Sequence, residues 1–163
     1  MWFKVVNNGR NIGFENRYIR GAAVLSLTGE YFPNIDNKGR MNFPSRLREE
    51  LGERFYITRW VDSCLAVFSE EEWKSVCEKI NSQSFNSTRD AQRQLSSNAC
   101  LVEPDKQGRI SIPQSLRERA GITAEVAVIG AMNRAEIWDR ARWQRRCELS
   151  DDQYDDIILR LNL

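Results

Sequence analysis

The chain has 163 residues, 41% of them hydrophobic, 10% aromatic and 29% charged, and its 24 Lys and Arg against 23 Asp and Glu leave a formal net charge of +1. That is an ordinary globular composition for one domain or two very small ones, able to bury roughly 68–70% of the unfolded chain's surface with no help from a disulfide or a metal. No apolar run approaches the ~18–20 residues of a membrane span, and the absence of any histidine removes Ser-His-Asp and Cys-His catalysis, HExxH zinc sites and imidazole bases.

Met1–Leu27 carries Lys4, Arg10, Arg17 and Arg20 against Glu15 alone and lies outside the pattern that organises the rest. We expect residues 1–27 to be a disordered extension or a misassigned start, with synthesis beginning near Leu25 or Leu27. Glu30–Ile35 and Arg40–Phe43 read as short strands around the turn Asp36-Asn-Lys-Gly39. An aspartate opening a turn accepts a hydrogen bond from the backbone two residues on, and Gly39 supplies a positive φ. Pro44 suits the first turn of a helix that ends at Gly52, with Leu47 and Leu51 on one face. Arg54–Trp60 and Leu65–Phe68 make a second hairpin across Val61–Cys64. Ser69-Glu-Glu-Glu72 is a capping box opening a helix that carries Trp73, Val76, Cys77 and Ile80. Asn81–Ser87 is polar, and Ser87-Thr-Arg-Asp90 caps a connecting helix to about Asn98.

The scheme then starts again. Asp36–Glu49 matches Asp105–Glu118 at seven of fourteen positions, including Asp36/Asp105, Gly39/Gly108, Arg40/Arg109, Pro44/Pro113 and Arg48/Arg117. One inserted residue later, Trp73/Trp143 and Cys77/Cys147 stay in step. Such self-similarity over more than forty residues marks a duplicated structural unit. In the second copy Ala99–Glu103 and Arg109–Ile112 flank the turn, Pro113–Ala120 is the short helix, Glu125–Ile129 and Ala135–Trp138 form the hairpin, and Asp139 caps a helix through Leu149. Ser150–Leu163, with Tyr154, Ile157, Ile158 and Leu161, reads as a separate amphipathic helix. The fold class is α+β, with a first repeat over 28–80, a linker over 81–98, a second repeat over 99–149 and a terminal helix over 150–163.

The doubled Asp-x-x-Gly-Arg, each followed by hydrophobic-x-hydrophobic-Pro-x-x-Leu-Arg, resembles the MraZ family of bacterial transcriptional regulators and its DxxxR motif. Thr28-Gly-Glu-Tyr31 and Glu136-Ile-Trp138 resemble family patterns as well. Met1–Leu27 has no counterpart in the family, and Pro33 stands where a histidine is common. The resemblance implies an AbrB-like swapped-hairpin (double-split β-α-β) barrel. It also implies a ring-shaped homo-oligomer that binds double-stranded DNA at direct repeats in the promoter of the division and cell-wall gene cluster, in the cytoplasm at the nucleoid.

The candidate DNA-binding residues are Arg40, Arg109, Lys38, Lys106, Asp36 and Asp105. An exposed i, i+4 ion pair adds little stability, whereas a bidentate arginine–guanine contact discriminates bases by ~1–3 kcal/mol. We therefore expect the arginines to read DNA, with each aspartate restraining its guanidinium, while Lys38 and Lys106 either touch phosphates or are simply solvated. Arg48 and Arg117 read as structural, pairing with Glu49, Glu118 or a neighbouring subunit. Arg140, Arg142, Arg145 and Arg146 read as a solvated helix face. No catalytic residue, no metal ligand set and no cofactor motif stands out: the four cysteines form no CxxC pair and neither phosphate-cradling glycine loop occurs. The sequence argues against an enzyme. The competing reading is a protein-interaction module of the antitoxin-like swapped-hairpin type, without DNA binding of its own.

Overall fold

The computed structural model describes residues 6–7, 10–11, 26–83 and 85–161. β1 (Val6–Asn7) pairs with β2 (Arg10–Asn11). The rest of residues 1–25, on which the expectation of a disordered extension falls, lies outside the described residues. Leu27, placed in that extension by sequence, is instead a core residue. It is 1% exposed and exchanges two backbone hydrogen bonds with Met132.

The first copy runs β3 (Glu30–Tyr31), β4 (Arg40–Asn42), α1 (Ser45–Leu51), β5 (Phe55–Arg59), a 3₁₀ turn (Val61–Ser63), β6 (Leu65–Ser69) and α2 (Glu70–Asn81). α3 (Phe85–Ser97) connects it to the second copy: β7 (Cys100–Val102), β8 (Arg109–Ser111), α4 (Gln114–Ala120), β9 (Val126–Gly130), β10 (Ala135–Asp139) and α5 (Arg140–Arg160). The stop and start signals of the short helices act within one residue of their expected places. Pro44 and Pro113 stand at the N-caps of α1 and α4, and Gly52 and Gly121 follow their ends. Ser69 Oγ accepts the Glu72 backbone N–H and Asp139 Oδ1 accepts that of Arg142, each satisfying one orphan donor of a helix start. The connecting helix begins two residues before Ser87. The last helix is not broken at Ser150: one helix spans Arg140–Arg160.

Strands β3 and β4 flank one turn but do not pair with each other. β3 pairs with β9 of the second copy, β7 of the second copy pairs with β5 of the first, and β4 pairs with β8. The result is an antiparallel six-stranded sheet, β3-β9-β10-β6-β5-β7, and a separate ribbon, β4-β8. Strands of two or three residues are too short to hold a hairpin alone. Exchange between copies gives each of them a partner and sets Met41 and Phe43 with Ile110 and Ile112 in one shared core.

Alternation along the strands divides that core in two. Phe55, Ile57, Leu65, Val67, Val126, Val128, Ala135 and Ile137 face the ribbon and the buried leucines of α1 and α4, Leu47, Leu51 and Leu116. Ala127 and Trp138 face the other way, with Cys64, Trp60, Ile129 and Trp143. On that second face Trp73 stacks on Tyr56 at 5.0 Å between ring centroids, and Trp143 packs on Trp138 at 5.5 Å. Trp73 and Trp143, whose recurrence in both copies reads as core packing, are only half-buried because α2 and α5 cover the sheet with one side only. Glu136 is buried there, accepting from Arg134 Nε (2.9 Å) and Trp138 Nε1 (3.0 Å). Burial pushes the Cys64 thiol up to about 12, with the Glu136 carboxylate adding to the effect. No helix among the described residues is long and apolar enough to cross a membrane.

Candidate nucleic-acid interface

Both repeated turns have the same construction. Asp36 Oδ1 accepts the backbone N–H of Lys38 and of Arg40, each at 2.9 Å, and the Arg40 carbonyl accepts the Asp36 N–H at 2.8 Å. Asp105 Oδ1 likewise accepts from Gln107 and Arg109 at 2.9 Å, and the Arg109 carbonyl accepts the Asp105 N–H. Gly39 and Gly108 close the turns at φ 79° and 76°, a region that costs a side-chain-bearing residue energy. The aspartate's first oxygen thus shapes the loop.

Its second oxygen holds the arginine. Asp36 Oδ2 meets Arg40 Nε at 2.9 Å and Nη2 at 2.8 Å, and Asp105 Oδ2 meets Arg109 Nε and Nη2 at 2.8 Å. The Nη1 edge of each guanidinium is not engaged by this carboxylate, and the arginine side chains remain 41% and 38% exposed. The backbone N–H of the arginine, then its side chain, holds each carboxyl below the usual carboxylate value. Lys38 and Lys106 are exposed in the same turns, but not at equivalent positions: Lys38 corresponds to Gln107, and Lys106 to Asn37.

The ribbon brings the two arginines together. Its register sets Arg40 opposite Ser111 and Asn42 opposite Arg109, while Met41 and Ile110 between them point into the core. Directly opposed residues share a face, so Arg40, Asn42, Arg109 and Ser111 all stand on the outer one. Arg40 and Arg109 are diagonal neighbours there, with Cα atoms roughly 7–8 Å apart. All six residues singled out by sequence belong to this one head. Asn42 and Ser111 were not among them, although Arg40-Met-Asn-Phe43 and Arg109-Ile-Ser-Ile112 alternate polar with apolar and carry the signal.

Behind the ribbon, Arg48 Nε donates to the Phe43 carbonyl at 3.2 Å and Arg117 Nε to the Ile112 carbonyl at 3.1 Å. These acceptors, not Glu49 and Glu118, are the partners resolved for the Nε groups. Three arginines of α5 are also engaged. Arg140 lies 4.7 Å over the Phe32 ring, Arg142 donates to the carbonyls of Ser63 and Ala120, and Arg146 meets Asp62 at 3.5 Å. Among the described residues no group of three or more Cys, Asp and Glu side chains is placed to hold a metal ion.

The family model described as "MraZ protein, putative antitoxin-like" matches this chain twice, over residues 26–98 and 95–154. The chain belongs to the MraZ family. The two matches follow the two copies. A relative from Finegoldia magna, named "Transcriptional regulator MraZ", is 47% identical over 135 residues, which cover 82% of this chain and 94% of the relative. Both MraZ matches leave the first 25 residues uncovered by the family model.

Proposed function

We propose that this protein is a non-enzymatic, sequence-specific transcriptional regulator that binds double-stranded DNA at direct repeats in the promoter of the division and cell-wall gene cluster, in the cytoplasm at the nucleoid. The observation that carries the reading is the delivery of Arg40 and Arg109 to one exposed ribbon face by two loops of the same build. A two-stranded ribbon fits the major groove of B-DNA, where arginine pairs with the O6 and N7 of guanine. A diagonal of roughly 7–8 Å spans about two base-pair steps of 3.4 Å, so one chain reads one short element and not two distant half-sites. Asp36 and Asp105 restrain the guanidiniums beforehand, which lowers the entropy lost on binding. Lys38 and Lys106 reach phosphates on either side.

A formal net charge of +1 suffices if several chains act together. The short edge strands β3 and β7 and the exposed Tyr154, Ile157, Leu159 and Leu161 of the terminal helix segment support closure into a ring, in which the swapped-hairpin barrel is the repeating unit. Linked heads then engage consecutive direct repeats with raised effective concentration. Gel-shift titration with the DNA upstream of the protein's own gene tests the reading: binding should weaken steeply with salt. A protein-interaction module would leave that duplex unbound. Light scattering at low micromolar concentration should give several times the monomer mass, and a monomer rejects the ring.

A further inference from the structure

Each loop is backed by an arginine from the other copy. The Arg48 guanidinium of α1 lies so closely over Gly108 that a Cβ there would come within 2.6 Å of its Cζ. Arg117 of α4 lies over Gly39, where a Cβ would meet its Nε and Nη2 at 3.0 Å. Backbone hydrogen bonds close each bracket: Phe43 N–H donates to the Gly108 carbonyl at 3.1 Å, and Ile112 N–H to the Gly39 carbonyl at 2.9 Å. Arg48 thus holds the Phe43 carbonyl while Phe43 holds Gly108, and the second copy reproduces the chain of contacts with Arg117, Ile112 and Gly39. Arg48 and Arg117 are half-buried, whereas Arg46 and Arg119 on the same helices are exposed. Gly108 and Gly39 immediately precede Arg109 and Arg40.

We propose that Arg48 and Arg117 are positioning residues that act across the duplication, Arg48 fixing the loop that presents Arg109 and Arg117 fixing the loop that presents Arg40. The proposal rests on the DNA-reading role given above. A planar guanidinium lies flat against a glycine backbone and donates from Nε at the same time, and a lysine ammonium does neither. The glycines are therefore required twice, for their positive φ and for the bare surface on which the opposite arginine sits. Each loop has its own brace, Arg48 for the second and Arg117 for the first.

Amide hydrogen exchange on the full chain without DNA tests the brace directly. In Arg48→Lys the amides of Gln107, Gly108 and Arg109 should exchange faster while those of Lys38, Gly39 and Arg40 keep the wild-type rate; Arg117→Lys should give the reverse. Acceleration of the variant's own loop, of both loops equally, or of neither overturns the proposal. Double-mutant cycles with the promoter duplex then test its consequence. Arg48→Lys should weaken binding on the order of threefold or more when Arg109 is present, retain that cost in Arg40→Ala, and lose most of it in Arg109→Ala. An undiminished cost in Arg109→Ala means that Arg48 touches DNA itself and overturns the positioning role. If instead the wild type binds no duplex, the DNA reading fails, while the exchange pattern still decides whether the braces cross between copies.

Discussion

The two copies keep some groups and vary others, and the division is informative. Kept are the aspartate oxygen that takes two backbone N–H groups, the glycine at φ near 78°, the arginine held by the second oxygen and the brace from the opposite helix. Varied are the residues turned outward: Asn37-Lys38 against Lys106-Gln107 in the loops, and Asn42 against Ser111 on the ribbon. The loop skeleton and its arginine are repeated, and the outward residues around that arginine are not. A head that is two-fold in its skeleton but not in its outer side chains suits an element without a two-fold axis.

The largest expected effect separates the ribbon from the sheet beneath it. Arg40→Ala with Arg109→Ala should lower promoter affinity roughly 100-fold or more, from two lost contacts of ~1–3 kcal/mol each, with the unfolding midpoint shifted by no more than about 2 °C. Glu136→Ala should do the opposite. It leaves the Trp138 indole N–H and the Arg134 guanidinium without their buried acceptor, at a cost on the order of 2 kcal/mol in stability. Affinity per folded molecule should stay unchanged. Thermal melts and gel shifts on both variants check the pair, and a ribbon variant that melts early would return the arginines to a structural role.

Much of this architecture is legible in the sequence because it is local. Pro44, Gly52 and the Ser69–Glu72 box mark helix ends by backbone chemistry, and Leu47 and Leu51 are buried as their spacing requires. Strand pairing is not local. Nothing in Glu30–Phe43 says that β4 finds β8 and not β3, since the apolar residues would face inward in either arrangement. The same non-local register hides that Asn42 stands beside Arg109 and Ser111 beside Arg40, although the alternation within each strand already turns them outward. The partners of Arg48 are hidden for a related reason: a backbone carbonyl carries no residue label, so Glu49 looks the better match on paper. Ser150, Asp151 and Asp152 resemble a new helix start, yet the preceding helix runs through them, since capping residues act as caps only where the backbone has left the helix.

A smaller effect sharpens the asymmetry between the copies. Exchanging the outward residues, as Asn42→Ser with Ser111→Asn, preserves the composition of the ribbon and moves the longer amide from beside Arg109 to beside Arg40. Asparagine pairs bidentately with adenine N6 and N7, whereas serine accepts several bases. Affinity for the wild-type element should fall by about fivefold or more, since a mismatched base pair typically costs ~1–3 kcal/mol, while the preferred sequence shifts at the positions the two residues face. Selection of bound duplexes from a randomised pool measures this. An unchanged preference would mean that the arginines alone read the element.

The smallest expected effect is on acid stability, and it follows from the feature the copies share most closely. In both loops the carboxyl is held below its ordinary value, first by the arginine backbone N–H and then by the arginine side chain. A group whose folded-state value is lowered binds its proton more readily in the unfolded chain. As pH falls, the unfolded state therefore gains protons first, and the stabilisation disappears with acid. The contribution of Asp36 and Asp105 is complete at pH values well above the ordinary carboxylate value of 3.8 and is lost as pH falls through it toward the lower folded-state values. Asp36→Asn with Asp105→Asn removes both titrations. An amide oxygen still accepts the backbone N–H groups but no longer attracts the guanidinium. The double variant should be slightly less stable than wild type at pH 7, and the gap should narrow between pH 5 and pH 3. Urea unfolding at a series of pH values checks the sign, and a gap that widens with acid would mean that the loop carboxylates are strained by the fold and not held by it.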